Sequence, residues 1–336
     1  MIIMKHSFSL TNGSIVKTNR VVSLMNCVLN LSPMPANLGF TDFSDSSGDL
    51  QPDTRTRILD LFGVKIRNTT KQAVIEVITD RIRRQQKSRV AFVNADCVNK
   101  YYKDDDYKNI LNEFQLVLAD GVGVRLAAKF QGVRLKDNVN GTDLFPGLLK
   151  RLAEQGKSVF FFGAAPGVAA TMCERLSEQF PGLRIAGHQN GYDFGLEDSR
   201  IIEQINQSAA DVVFVALGAP KQEKWINRHH ENLNAGILIG VGGLFDFYSG
   251  NVRRAPLWVR KASSEWVWRL IMQPRDKAKR YLMGNPLFIY RVVRHHLIIT
   301  AALRFKPAVD KVIVATVEVA RQTMITLGIQ SKRLQT

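Results

Sequence analysis

The feature that most constrains this chain is a regular alternation of short apolar runs with amphipathic segments between Ile58 and Asp246. Gln115–Ala119, Ser158–Phe162 and Asp211–Leu217 are rich in Val, Leu and Phe and short enough to be strands buried on both faces. Ile58–Ile66, Arg89–Val93, Leu183–Ala186 and Gly236–Val241 read as further strands. The segments between them have a helical period. Lys71 to Gln85 places Ala73, Val74, Val77, Ile78 and Ile82 on one face, behind an Asn68-Thr69-Thr70 cap. Other helices are expected from Asn94 to Tyr101, from Val122 to Phe130, within Gly141–Gln155 with Thr142 or Asp143 as cap, and over Val168–Phe180, Ser199–Ser208 and Gln222–Leu233. Such alternation implies an α/β fold: a Rossmann-like, mostly parallel sheet flanked by helices. It does not set the order of the strands.

The pattern stops at both ends. Residues 1–55 have no sustained period, and Ser44–Asp53 is a linker-like run of Ser, Asp and Gly, so a peripheral, poorly ordered arm is expected there. Residues 56–254 form the α/β domain, 255–305 a basic amphipathic helical appendage, and 306–336 a tail. The net charge of +16 is segregated: residues 251–336 carry 17 Lys and Arg against 4 Asp and Glu, and the remainder 29 against 26. A basic end on a nearly neutral chain suggests an anionic partner. Leu257–Met272, expected as one helix, interleaves Trp258, Trp266 and Trp268 with Arg260, Lys261 and Arg269. Pro286–Leu303 mixes Leu, Ile, Val and Phe with Arg291 and Arg294. This pattern suits an anionic membrane surface; the alternative is a helical lid on the sheet with its basic side in water. No nucleic-acid-binding motif is present, so nucleic acid is not an expected partner. No apolar run reaches the length of a membrane span, and the N-terminus lacks the apolar stretch of a signal peptide. Cys27, Cys97 and Cys173 have neither metal-ligand nor redox spacing, which fits a reducing cytoplasm.

Ligands of open α/β sheets bind beyond the carboxyl ends of the strands. Three such ends carry glycine: Ala119-Asp120-Gly121 with Gly123, Phe162-Gly163-Ala-Ala-Pro-Gly167, and Leu217-Gly218-Ala-Pro-Lys221. Each opens a helix, whose free N–H groups suit phosphate, so a nucleotide or other phosphorylated ligand is expected. The dinucleotide fingerprint and the phosphate loop ending in Gly-Lys-Ser/Thr are absent, which argues against a dehydrogenase and an ATPase. Asp120 has two readings: a base at the ligand's edge, or a cap for the helix that follows.

Together, Asn94-Ala-Asp, Ala119-Asp-Gly-Val-Gly123, Asn140-Gly-Thr-Asp143, Phe161-Phe-Gly-Ala-Ala-Pro-Gly167, Gly218-Ala-Pro-Lys-Gln-Glu223 with Trp225, Gly240-Val-Gly-Gly-Leu-Phe-Asp246, Arg254-Ala-Pro256 and Glu265-Trp-Val-Trp-Arg-Leu270 resemble the WecG/TagA/CpsF family of bacterial glycosyltransferases. The resemblance spans roughly Phe62 to Tyr281. It implies inverting transfer of a sugar from a UDP-sugar to a polyprenyl-diphosphate-linked saccharide, without metal or other cofactor, by a protein peripheral on the inner face of the cell membrane. A homo-oligomer is compatible with it. By the same resemblance Asp120 is the catalytic base and Gln222 an active-site residue. Asn94, Gly121, Gly123, Asn140, Asp143, Gly163, Gly167, Gly218, Lys221 and Asp246 fall in the donor site. Arg269 and Lys279, with Arg275 and Arg280 beside them, fall where the appendage meets the acceptor diphosphate. Phe92, Asn138 and Asp276 depart from the family pattern. Val93-Asn-Ala-Asp-Cys97 and Asp137–Asp143 resemble its exopolysaccharide glucosyltransferase branch, similar to the xanthan enzyme GumM, and so imply glucose as the sugar moved. The alternative donor is UDP-N-acetylmannosamine or its uronate, as in teichoic acid or enterobacterial common antigen synthesis. A more distant alternative is a non-catalytic assembly partner on the membrane.

Overall fold

The computed structural model describes residues 58–192, 198–261 and 264–301. The expected N-terminal arm, Cys27 and the tail 306–336 lie outside them. The strands are β1 (Ile58–Leu61), β2 (Val64–Arg67), β3 (Ser88–Val93), β4 (Leu116–Ala119), β5 (Ser158–Gly163), β6 (Arg184–Gln189), β7 (Val212–Ala216) and β8 (Ile237–Gly240). They form one eight-stranded sheet in the order β1-β2-β4-β3-β8-β7-β5-β6. Every neighbouring pair is parallel except the β1–β2 hairpin. That hairpin turns through Phe62 and Gly63, both at positive φ, and Asp60 accepts a hydrogen bond from the Gly63 N–H at 2.8 Å.

The central strands are apolar throughout because helices cover both faces. Along β5, Val159 and Phe161 enter one core while Phe160 and Phe162 enter the other; along β7, Val212 and Phe214 alternate with Val213 and Val215 in the same way. The period-two pleat thus splits one apolar run between two cores.

Most helices follow the expected pattern. Lys71–Arg83 is capped by Thr70, whose side chain accepts from the Ala73 N–H. Gly141–Glu154 is capped by Asn140, which accepts from the Asp143 N–H at 2.7 Å, and not by Thr142 or Asp143. The reason is position: both residues already lie inside the first helical turn. The helix after β7 is shorter than expected, Lys221–His229. Asp105–Asn112 is a helix that the apolar pattern does not announce, because it buries only Tyr107 and Leu111. Beyond the sheet, the single helix expected over Leu257–Met272 is two, Leu257–Lys261 and Glu265–Met272. Pro274–Ala278, a π-helical turn Lys279–Met283 and a helix over residues 284–301 complete the appendage. Among the described residues no helix is long and apolar enough to cross a membrane. The last helix docks on the α/β domain through buried Phe288, Arg291 and Val292. Arg291 donates to the Asn99 side-chain oxygen at 2.7 Å, and the Asn99 amide donates to the Gly284 carbonyl at 2.7 Å.

At the end of β5, Gly163 has φ of 127°, and a Cβ there would lie 2.6 Å from the Ala216 carbonyl on β7. Gly163→Ala is expected to destabilise the domain by at least about 2 kcal/mol through strain and overlap. Urea unfolding checks this, as a lowered midpoint at unchanged slope.

Candidate active site

The strand order makes the carboxyl ends of β4, β3, β8 and β7 consecutive neighbours. Above them lies a cleft of about 510 Å³, closed on its far side by the appendage. Its floor gathers Asp120 and Gly121 after β4, Asn94 after β3, Gly240 and Gly242 at the end of β8, and Gly218 after β7.

Asp120 sits at the N-cap position of helix Gly121–Phe130, yet its side chain makes no capping bond. At the first helical position, the Gly121 N–H donates to the Asn138 side-chain oxygen at 2.8 Å. The Asp120 carboxylate is left to accept from the Asn94 amide at 3.2 Å. Asn94 is itself fixed, because its oxygen accepts from the Asp96 and Cys97 N–H groups at the start of helix Ala95–Tyr101. That bond turns the NH₂ of Asn94 toward Asp120. Burial raises the proton affinity of Asp120, against the opposing pull of the Asn94 hydrogen bond and of Arg269 and Arg280. The cap reading of Asp120 therefore describes its backbone and not its carboxylate.

Gln222 is nearly fully buried and works as a clamp. Its oxygen accepts from the Gly218 N–H at 3.2 Å and the Gly242 N–H at 2.8 Å, tying the loop after β7 to the loop after β8. Its NH₂ donates to Glu223 at 2.7 Å. Gly240 admits this side chain, since a Cβ there would stand 2.9 Å from the Gln222 amide nitrogen. Glu223 is completely enclosed, with one carboxyl oxygen unbonded, and burial pushes its carboxyl up to about 7.

The appendage supplies cations. Arg269, Arg280, Lys277 and Arg260 line the cleft, with Trp266, Tyr281 and Phe288 as an apolar wall. The Arg269 guanidinium stacks 4.4 Å over the Phe247 ring. Arg280 lies 3.6 Å from the Asp96 carboxylate, which also pairs with Lys100 at 2.8 Å.

Several expected site residues lie elsewhere. Gly163 ends β5 and Gly167 follows it, one strand beyond the cleft, and neither lines it; Lys221 is also outside the lining. Arg275 and Lys279 are exposed and outside the lining, whereas Arg269 and Arg280 are inside, as the turn between them dictates. Both oxygens of Asp143 are engaged, one by the Asn140 amide at 2.7 Å and the other by Arg254, with Arg260 at 3.5 Å. Asp143 thus anchors the appendage to helix Gly141–Glu154. Asp246 lies just behind the lining, its proton affinity raised by burial against the charges of Lys277 and Arg269. Sequence reasoning passes over Asp96, Lys100, Asn138, Gly242, Arg260 and Lys277 as site residues. For Asp96 and Lys100 a signal exists: their four-residue spacing in the helix that Asn94 opens. Cys97 and Cys173 are buried, with thiols pushed by burial up to about 12.

Residues 59–301 match the Glycosyl transferase WecG/TagA/CpsF family. The chain is 37% identical over 190 residues to the N-acetylglucosaminyldiphosphoundecaprenol N-acetyl-beta-D-mannosaminyltransferase of Bacillus spizizenii, covering 56% of this chain and 72% of that protein. It is 36% identical over 186 residues to the protein of that name from Bacillus subtilis, covering 55% and 72%. The Staphylococcus aureus (strain MW2) protein of that name is 29% identical over 243 residues, covering 72% and 94%.

The buried carboxyl of Glu223 has a consequence for stability. With its ordinary value of 4.5 raised to about 7, the folded chain holds this proton more tightly than the unfolded chain does. The resulting stability is complete below about pH 4.5 and is lost as pH rises through about 7, by roughly 3 kcal/mol in all. Glu223→Gln has no proton to lose, so its unfolding free energy is expected to fall less than the native protein's between about pH 5 and 8. Parallel profiles for the two proteins would show that Glu223 does not titrate in this way.

Proposed function

The chain belongs to the WecG/TagA/CpsF family of glycosyltransferases, and on that premise we propose that it transfers N-acetylmannosamine from its UDP derivative to a polyprenyl-diphosphate-linked N-acetylglucosamine. The names of the relatives favour this donor over glucose and over the exopolysaccharide branch, so N-acetylmannosamine replaces glucose as the principal reading. The observation that carries the chemistry is an Asp120 carboxylate released from capping, raised in proton affinity by burial and within the field of Arg269 and Arg280.

The acceptor sugar hydroxyl attacks the anomeric carbon of the donor. The bond from that carbon to the UDP oxygen breaks, and UDP leaves with the electron pair. Asp120 takes the hydroxyl proton, which suits a carboxylate whose proton affinity has been raised. Asn94 holds Asp120 in place. Arg269, Arg280 and Lys277 balance the negative charge on the leaving diphosphate and on the acceptor diphosphate, the role a divalent metal plays elsewhere. The loops that carry Gly121, Gly218 and Gly242 form the donor side, the latter two held in register by Gln222. The protein works from the inner face of the membrane. Trp258, Leu257 and Ile271, each more than 60% exposed, rest in the headgroup region, and Arg275 and Lys279 face anionic lipid. Each such cation contributes about 1 kcal/mol of salt-sensitive attraction.

Two experiments test the reading. A panel of UDP-sugars with a synthetic N-acetylglucosaminyl diphosphate lipid should give product with N-acetylmannosamine and retain it in EDTA. Glucose as the preferred sugar, or EDTA inhibition reversed by Mg²⁺ or Mn²⁺, would count against it. Asp120→Asn should keep the thermal midpoint and UDP affinity while turnover falls at least about 10²-fold. Near-native turnover in that variant would remove Asp120 from the base role.

A further inference from the structure

We propose that the cleft continues into an apolar track that holds the first part of the acceptor's lipid chain, between helix Gly121–Phe130 and the helix over residues 284–301. The inference rests on the polyprenyl-diphosphate acceptor proposed above and extends it to helix Gly121–Phe130, outside the basic appendage.

Helix Gly121–Phe130 buries Val124, Ala127 and Ala128 and leaves Val122, Leu126 and Phe130 exposed by 39%, 37% and 37%. Residues four apart share a helix face, so these three form one apolar stripe. On the neighbouring helix, Ile289, Val293 and Leu297 repeat the same spacing; the first two are half-buried and Leu297 is 61% exposed. The two helices run side by side in the same direction. Near their starts, a Cβ on Gly123 would meet the Phe288 ring at 3.4 Å, and farther along, the rings of Phe130 and His296 are 6.0 Å apart between centroids. The two stripes therefore advance together.

The inner end of this track opens into the cleft, since Val122, Leu126 and Ile289 all line it. From Val122 to Phe130 the helix rises about 12 Å. An acceptor whose sugar reaches Asp120 and whose diphosphate meets Arg269 and Arg280 has to send its hydrocarbon out past one of the cleft walls. The basic wall of Arg260, Lys277 and Arg280 suits the charged portion and rejects hydrocarbon. Trp266 and Tyr281 add apolar surface within the cleft, but Val122, Leu126 and Ile289 lead on into the exposed stripes, whose covering by hydrocarbon is favourable.

The probes are farnesyl diphosphate and methyl diphosphate, which share a diphosphate and differ in hydrocarbon. Binding of each is measured directly on the full-length protein by calorimetry, with sugar transfer assayed separately. Native protein is expected to bind farnesyl diphosphate at least about tenfold more tightly. Phe130→Gln with Leu297→Gln, both at the outer end and outside the cleft lining, should erase most of that difference without lowering affinity for methyl diphosphate. A preference that survives the double variant, or that native protein lacks, overturns the track. So does a variant that loses flotation on anionic vesicles while keeping the preference, because the stripes would then serve the bilayer. Chain-length preference in binding can hold or fail whether or not N-acetylmannosamine is transferred, so the two proposals fall separately.

Discussion

The site depends on how one helix start is satisfied. The first N–H groups of a helix need acceptors, and an Asp at the strand end is the ordinary supplier. Here Asn138, from the loop that leads to helix Gly141–Glu154, accepts from Gly121. Asp120 makes no capping bond of its own, and Asn94, its own oxygen committed to the next helix, offers Asp120 its amide. Two asparagines, each completing a local backbone requirement, leave one carboxylate at the floor of a cleft with a raised proton affinity.

The remainder of the cleft is assembled by ties between distant segments. Gln222 joins the loops after β7 and β8, and Glu223 behind it fixes which way the amide points. Asp143 holds Arg254 and draws in Arg260, securing the start of the appendage, while Asn99 receives Arg291 and holds Gly284 at its end. Between these anchors the appendage exposes apolar side chains on one side and turns Arg269, Lys277 and Arg280 into the cleft. Its concentration of positive charge is thus divided between two tasks. The inward cations meet phosphate, and the outward ones, including Arg275 and Lys279, meet solvent or a charged surface.

Much of this is legible in the amino-acid sequence. Buried parallel strands have to be apolar at every position, so β5 and β7 stand out by their Phe and Val runs, and Asp120 and Gly218 are recognisable as strand-end residues. Residues that act through local geometry, such as Asn94 at the head of its helix, are equally visible. Asp143 and Lys279 are not, because their roles depend on partners and helix faces that sequence distance conceals. Arg254 lies far along the chain from Asp143, and Lys279 falls on the exposed side of the appendage while Lys277 and Arg280 line the cleft. Glu223 carries no signal as a buried acid, since a charge in a polar motif gives no hint of full enclosure.

The sequence by itself determined the α/β class, the strands and most of the helices around them, and the two-part distribution of charge, because hydrophobic period, turn residues and composition act over a few neighbouring positions. Only the tertiary structure decided the strand order, and with it which glycine loops share a cleft. By placing β5 beyond β7, it left the Gly163 loop a role in close strand packing and brought the ends of β4, β3, β8 and β7 together. Local pattern cannot specify that choice, since any of these strands satisfies its own hydrogen bonds and apolar faces beside any other; the packing of helices against both faces selects among them.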